Sequence, residues 1–395
     1  MTTSRVFIAG VLALGLIATG CGSGSGAASA SPSAALEPAA PSAEPESCAT
    51  AVYKWMTQAQ RVGQLFLVGM PAAGDPGAEV RNAVRAHHFG SVLFVGDSTT
   101  GVAAIREQTR SVQALATRTA TASTRFLVAA NQEGGQIQQL RGPGFASIPS
   151  AVAQGQMTPS TLKSAAATWG RELSAAGVNL DLAPVMDVVP AGTAAQNAPI
   201  GMLQREYGDN PGTVASHGVA FIRGMLGVGV ATTAKHFPGL GRVRGNTDFS
   251  SDVVDTVTTA RDPYLTTFQA AIEAGVPFVM VALAAYTRID PSHIAAFSAR
   301  IIDGLLRKQL GFGGVVVSDD LGAAAAVAGV SPAARAIDFL AAGGDLITSA
   351  TVEAAVEMDN AVLRKAAGDA AFRGEVSDAV MKILAVKAEY GLLSC

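Results

Sequence analysis

Eight short apolar runs punctuate the chain from Gln64 onward: "QLFLVGM", "GSVLFVGD", "RFLVAANQE", "VNLDLAPVMDV", "GVATTAKHF", "PFVMVALAAY", "GGVVVSDD" and "GDLITSA". Apolar residues follow one another in these runs instead of alternating with polar ones, which is the pattern of strands covered on both faces in a parallel sheet. Between them lie segments of helical length, such as "TPSTLKSAAATWGRELSAAG" and "DPYLTTFQAAIEAG". In the first, Thr158 or Ser160 offers an N-cap oxygen and Gly177 follows the last apolar position as a stop. This alternation of strand and helix predicts an α/β chain folded as a (β/α)8 barrel, with a doubly wound open sheet as the competing arrangement. Composition does not break again after Ala51, so one domain over residues 48–395 is expected.

Polar residues fall at the C-terminal ends of the runs: Asn131, Asp187, Lys235, His236, Asp319 and Asp320. A barrel builds its active site at that end, from several strands at once. Taken singly, such a residue is often only a turn former, and that reading stays open for Asp187 and Asp320. Recurrence over four strands is harder to assign to turns alone.

Composition narrows the partners. The chain is 49% hydrophobic with 43 glycines, while 15% charged residues and a net charge of -3 leave no basic face for a phosphate backbone, so nucleic acid is not an expected partner. There is no clustered His/Cys set to hold a metal. Arg5 precedes the apolar run "VFIAGVLALGLIATG", which has the length of a signal-peptide core and is short for a membrane span, so residues 1–20 read as a signal peptide. The run ends "ATGC", similar to the lipobox of bacterial lipoproteins, which implies lipidation at Cys21. The alternative is a soluble secretory signal whose Cys21 is discarded. Residues 21–47, rich in Ser, Ala, Pro and Gly, read as a flexible tether. The protein is then expected outside the cytoplasm, held to the cell membrane through the lipid alone and facing the envelope. In such a compartment Cys48 and Cys395 read as a disulfide rather than two free thiols.

Five blocks carry a family resemblance: "NQEGG" (Asn131 to Gly135), "LAPVMDV" (Leu182 to Val188), "REYGDNP" (Arg205 to Pro211), "KHFPG" (Lys235 to Gly239) and "SDDL" (Ser318 to Leu321). In this order they resemble the signature blocks of family 3 glycoside hydrolases, most of all the β-N-acetylhexosaminidase branch of NagZ type. The resemblance implies a (β/α)8 barrel, no cofactor and no metal. It makes Asp319 the nucleophile, and a carboxylate held at a strand end suits attack on an anomeric carbon. It also makes Lys235, His236 and Arg205 sugar contacts; lysine, imidazole and guanidinium all donate to hydroxyls. Asp320 reads as a helix N-cap or a partner of Asp319.

Departures from the family pattern are equally specific. Asn131 stands where the family places an aspartate and Gln139 where it places an arginine, so two sugar contacts become neutral. After "KHFPG" the family carries an Asp-Ser-His loop whose histidine is the acid/base. Here the run is "TDFSSD": Asp248 matches the dyad aspartate and Ser250 replaces the histidine. Asp248 is therefore the expected acid, with Asp252 behind it. Burial or a neighbouring carboxylate has to raise its pKa, and Arg242 or Arg244 opposes that if either reaches it. The leading expectation is a retaining exo-β-N-acetylglucosaminidase acting on muropeptides or related aminosugar glycosides, as a monomer. A phosphorylase on the same site and a sugar-binding lipoprotein that has lost catalysis are the alternatives.

Overall fold

The computed structural model describes residues 47–395. The expected signal peptide, Cys21 and the tether up to residue 46 lie outside the described residues. Strands β1 (Phe66–Pro71), β2 (Ser91–Val95), β3 (Leu127–Ala130), β4 (Leu180–Asp181), β5 (Ala231–Phe237), β6 (Phe278–Val281), β7 (Val315–Ser318) and β8 (Ile347–Ser349) each fall on one of the eight apolar runs, β1 continuing one residue past its run. They form a single parallel sheet in the order β7-β6-β5-β4-β3-β2-β1-β8. A parallel bridge from Val317 to Leu346 brings the two ends of that order together. The ring is thus nearly closed, which excludes the open sheet. Strand residues such as Phe66, Val92, Val128, Val279 and Val316 are fully buried, as expected of strands walled by helices outside and by packed side chains within.

Helix ends follow the sequence signals. Thr158 Oγ1 accepts the Thr161 backbone N–H (3.2 Å), Pro159 occupies the first helical turn, and the helix runs Pro159–Ala175. Gly177 has φ +81°, and a Cβ there would meet Thr109 Oγ1 at 2.3 Å, so this stop is closed to other residues on two counts. Asp262 caps the short turn Pro263–Leu265, which leads into the helix Thr266–Glu273.

The first and last helices, Cys48–Trp55 and Ala370–Glu389, are joined by a hydrogen bond from Tyr53 Oη to Ser377 Oγ (2.7 Å). The disulfide Cys48–Cys395 ties the two ends of the described chain, with Cα atoms 5.8 Å apart. Lys387 is wholly buried in the last helix. It donates to Gln64 Oε1 and to the Gly90 carbonyl (both 2.7 Å), and burial lowers its pKa to about 7. Among the described residues no helix is long and apolar enough to cross a membrane.

Thiol labelling of the denatured, unreduced chain is expected to modify Cys21 at most. Modification of all three cysteines would show that the ends are not covalently joined.

Candidate active site

The C-terminal ends of the strands surround a cavity of about 410 Å³. Asn131, Gln139, Arg205, Lys235, His236, Asp248, Asp319 and Asp320 all line it. All the residues expected to bind or react therefore meet in one place. Asp252 does not: it is exposed, takes a hydrogen bond from Ser251 Oγ and is absent from the lining. Ser250, at the position of the family histidine, also stays outside the lining.

The floor is organised by a residue to which the sequence reading gave no role. Glu133 sits in the small hairpin that follows β3, in which Gln132–Gly134 pairs with Ile137–Gln138. Its Oε1 lies 2.6 Å from Lys235 Nζ and 2.7 Å from Arg205 Nη2, and its Oε2 accepts from Arg205 Nε at 2.8 Å. The three side chains are 5%, 2% and 12% exposed. Burial opposes the charge on Glu133, but the adjacent guanidinium and ammonium outweigh it and hold the carboxyl at about 2. The available signal was charge balance: two cations assigned to a buried strand end need a counter-ion close by.

Around this triad the remaining contacts have defined orientations. Lys235 Nζ donates to Asn131 Oδ1 (2.9 Å), and the Asn131 backbone N–H donates to Gln139 Oε1 (2.8 Å). Asp187 is more than a turn former. It accepts from the His236 ring Nδ1 (2.8 Å) and from the backbone N–H groups of His236 and Leu240. Arg205 Nη2 lies 3.4 Å from His236 Nε2.

Asp319 follows β7, and its backbone N–H donates to the Val281 carbonyl at the end of β6 (3.0 Å). Its Oδ1 accepts from the Asp320 N–H (2.9 Å). Asp320 takes backbone N–H groups from Gly322, Ala350 and Ala323, which makes it a clamp on two loops, in keeping with the cap or partner role expected of it.

Asp248 stands on the loop across the cavity, and its carboxyl is pushed up to about 6. The surrounding protein mass contributes most, then the Asp319 carboxylate, against the pull of His236 and Arg205. Asp248 is still exposed to the open cavity, so water screens part of this rise, and a sugar filling the cavity strengthens it. Arg242 does not reach Asp248: it pairs with Asp262 (2.6 Å) and lies over the Tyr264 ring. Histidines other than His236 are engaged elsewhere, His87 with Asp359, His88 with the Ala120 carbonyl, His217 between the Thr213 and Met157 carbonyls, and His293 with Asp290. Buried Asp181, which accepts the Gln132 N–H, is pushed up to about 7, chiefly by burial.

The chain is similar to known proteins over most of its length. The family profile described as glycosyl hydrolase family 3 N terminal domain matches residues 57–386. A beta-hexosaminidase of Xanthomonas euvesicatoria pv. vesicatoria is 35% identical over 320 residues, 78% of this chain and 90% of that protein. One from Stenotrophomonas maltophilia is 34% identical over 256 residues, 63% of this chain and 74% of the relative. The crystal structure of a beta-N-acetylhexosaminidase from Beutenbergia cavernae superposes with a TM-score of 0.83 at 50% identity, covering 84% of this chain and 99% of that one.

Replacing Glu133 by Gln leaves two buried cations without their counter-ion and is expected to destabilise the fold by about 3–5 kcal/mol in denaturant titration. A loss below about 1 kcal/mol would show that water already carries the charge. Because the Glu133 pKa is depressed in the folded state, its contribution is full above its unfolded value of 4.5 and drains away as pH falls towards about 2.

Proposed function

The chain belongs to glycosyl hydrolase family 3, and from that premise we propose that it is a retaining exo-β-N-acetylglucosaminidase releasing terminal N-acetylhexosamine from muropeptides or related glycosides. The observation that carries this reading is the convergence of Asp319, Asp248 and the Lys235–His236–Arg205 set on one cavity. The names of the similar proteins support the hexosaminide specificity.

In the proposed mechanism the floor holds the terminal sugar through its hydroxyls, with Lys235, Arg205 and the Asn131 amide as donors. Asp319 Oδ1 is engaged with the Asp320 N–H, which leaves Oδ2 to attack the anomeric carbon. As the C–O bond to Asp319 forms, the bond to the aglycone oxygen breaks, and that oxygen takes the proton of Asp248. In the second half Asp248, now a carboxylate, removes a proton from water. The water oxygen bonds to the anomeric carbon, and Asp319 is released as its ester bond breaks. Two carboxyls in unlike surroundings thus divide the roles of nucleophile and acid. The protein is further proposed to be exported and lipid-anchored at Cys21; a disulfide between Cys48 and Cys395 fits an oxidising compartment.

A fluorinated N-acetylglucosaminide with a good leaving group is expected to accumulate as an ester on Asp319, and Asp319→Asn is expected to abolish turnover while retaining sugar binding. Mass mapping to another residue, or turnover that persists in Asp319→Asn, would overturn the assignment. Rate acceleration by added inorganic phosphate would instead mark a phosphorylase.

The acid has its own signature. Asp248 must be protonated to act, so kcat/KM for an unactivated disaccharide is expected to fall as pH rises through about 6. Asp248→Ala is expected to remove that limb and to cost about 10²- to 10⁴-fold on the disaccharide, but far less on a nitrophenyl glycoside whose leaving group needs no proton. Equal losses on both substrates would give Asp248 a binding or structural role instead.

A further inference from the structure

The sugar-binding floor accounts for the polar half of the cavity and leaves its rim unexplained. The rim is apolar: Val95, Ile137, Leu203 and Phe249 all line the cavity. Phe249 is 83% exposed and Val95 38% exposed, so neither is held there by the core. Phe249 directly follows Asp248, in the loop where the resemblance places a serine.

That loop is fixed by backbone contacts. The Asp248 N–H donates to Asn246 Oδ1 (2.9 Å), and the N–H groups of Phe249 and Ser250 donate to the Asn246 carbonyl (3.1 and 2.9 Å). From the other side, the N–H groups of Ala325 and Ala326, a few residues after Asp319, donate to the carbonyls of Asp248 (3.2 Å) and Thr247 (3.0 Å). An aromatic ring on such a turn is a positioned surface.

We infer that Phe249 is the platform of the aglycone subsite, on which the ring attached to the leaving oxygen, a second pyranose, lays its C–H face. The inference rests on the proposed roles of Asp248 and Asp319. The oxygen that receives the proton from Asp248 is bonded directly to the aglycone ring, so that ring has to lie beside the acid, and Phe249, the next residue along the chain, lines the same cavity. The basic groups of the lining are already engaged at the floor. Arg205 and Lys235 are bound to Glu133, and His236 is bound to Asp187. A pyranose carries a patch of axial C–H bonds that packs against an aromatic face, and removing one such face typically weakens binding severalfold.

The test compares N,N′-diacetylchitobiose with N-acetyl-β-glucosaminyl fluoride, which has the same terminal sugar and no aglycone ring. The ratio of the two kcat/KM values, disaccharide over fluoride, is expected to fall about fivefold to tenfold in Phe249→Ala and to stay within about twofold of the unmutated protein in Phe249→Trp. A ratio unchanged in Phe249→Ala, or reduced equally in Phe249→Trp, overturns the inference. Hydrolysis of neither substrate by the unmutated protein is a different failure, that of the proposed activity. In that event calorimetric binding of the disaccharide decides: a dissociation constant raised about fivefold by Phe249→Ala upholds the platform, and an unchanged one overturns it.

Discussion

The cavity depends on one electrostatic constraint: two cations, Lys235 and Arg205, have to be buried at the mouth of a nearly closed barrel without losing their charge. An isolated ammonium or guanidinium in such a place costs many kcal/mol, or gives up its proton where it can. Glu133 removes that cost by accepting from Arg205 through both oxygens while Oε1 also meets Lys235. The three residues come from the hairpin after β3, the loop after β4 and strand β5, so the ion cluster also links three neighbouring staves of the barrel. The Asp187–His236 pair repeats the device one step further on. A carboxylate from the β4 loop holds an imidazole of β5 by its Nδ1 proton and turns Nε2 towards the cavity side.

The same buried surroundings then move carboxyls in opposite directions. Glu133, between two cations, is held at about 2; Asp181, equally buried but with one backbone donor, is pushed to about 7; Asp248, facing Asp319 across the cavity, is pushed to about 6. Burial alone predicts a rise in each. Arg205 and Lys235 reverse it only where they touch the carboxylate. The proton-donor role proposed for Asp248 depends on this separation, because a carboxyl near its ordinary value is almost wholly ionised at neutral pH.

Features that depend on local sequence were legible beforehand. The strands were readable because strands buried on both faces show up as unbroken apolar runs; Asn131, Lys235, His236 and Asp319 were readable because each stands where such a run ends, whereas Gln139, Arg205 and Asp248 were readable only through the family resemblance. Thr158 and Gly177 worked as boundary signals for the same local reason. What escaped was pairwise and non-local. Glu133 lay in view within "NQEGG", but its partners are Arg205 and Lys235, about 70 and 100 residues away, and only the closure of the barrel brings the three together. The roles of Asp252 and Arg242 could not be separated from that of Asp248 by spacing, because which side of a loop faces the cavity is decided by its anchors, here Asp262 for Arg242.

The acid role proposed for Asp248 makes a demand on these anchors. A carboxyl on Asp has less reach than an imidazole, so in that proposal its backbone has to come closer to the glycosidic oxygen. The Asp248 and Thr247 carbonyls accept from Ala325 and Ala326, in the segment that leaves Asp319. The Asp248 loop is thereby tied to the segment that follows Asp319. In the proposed mechanism the separation of these two carboxyls is the geometric quantity that matters. The loop's position therefore follows from main-chain hydrogen bonds, and the side chains it carries at Asp248 and Phe249 are free to differ from the family pattern without moving it.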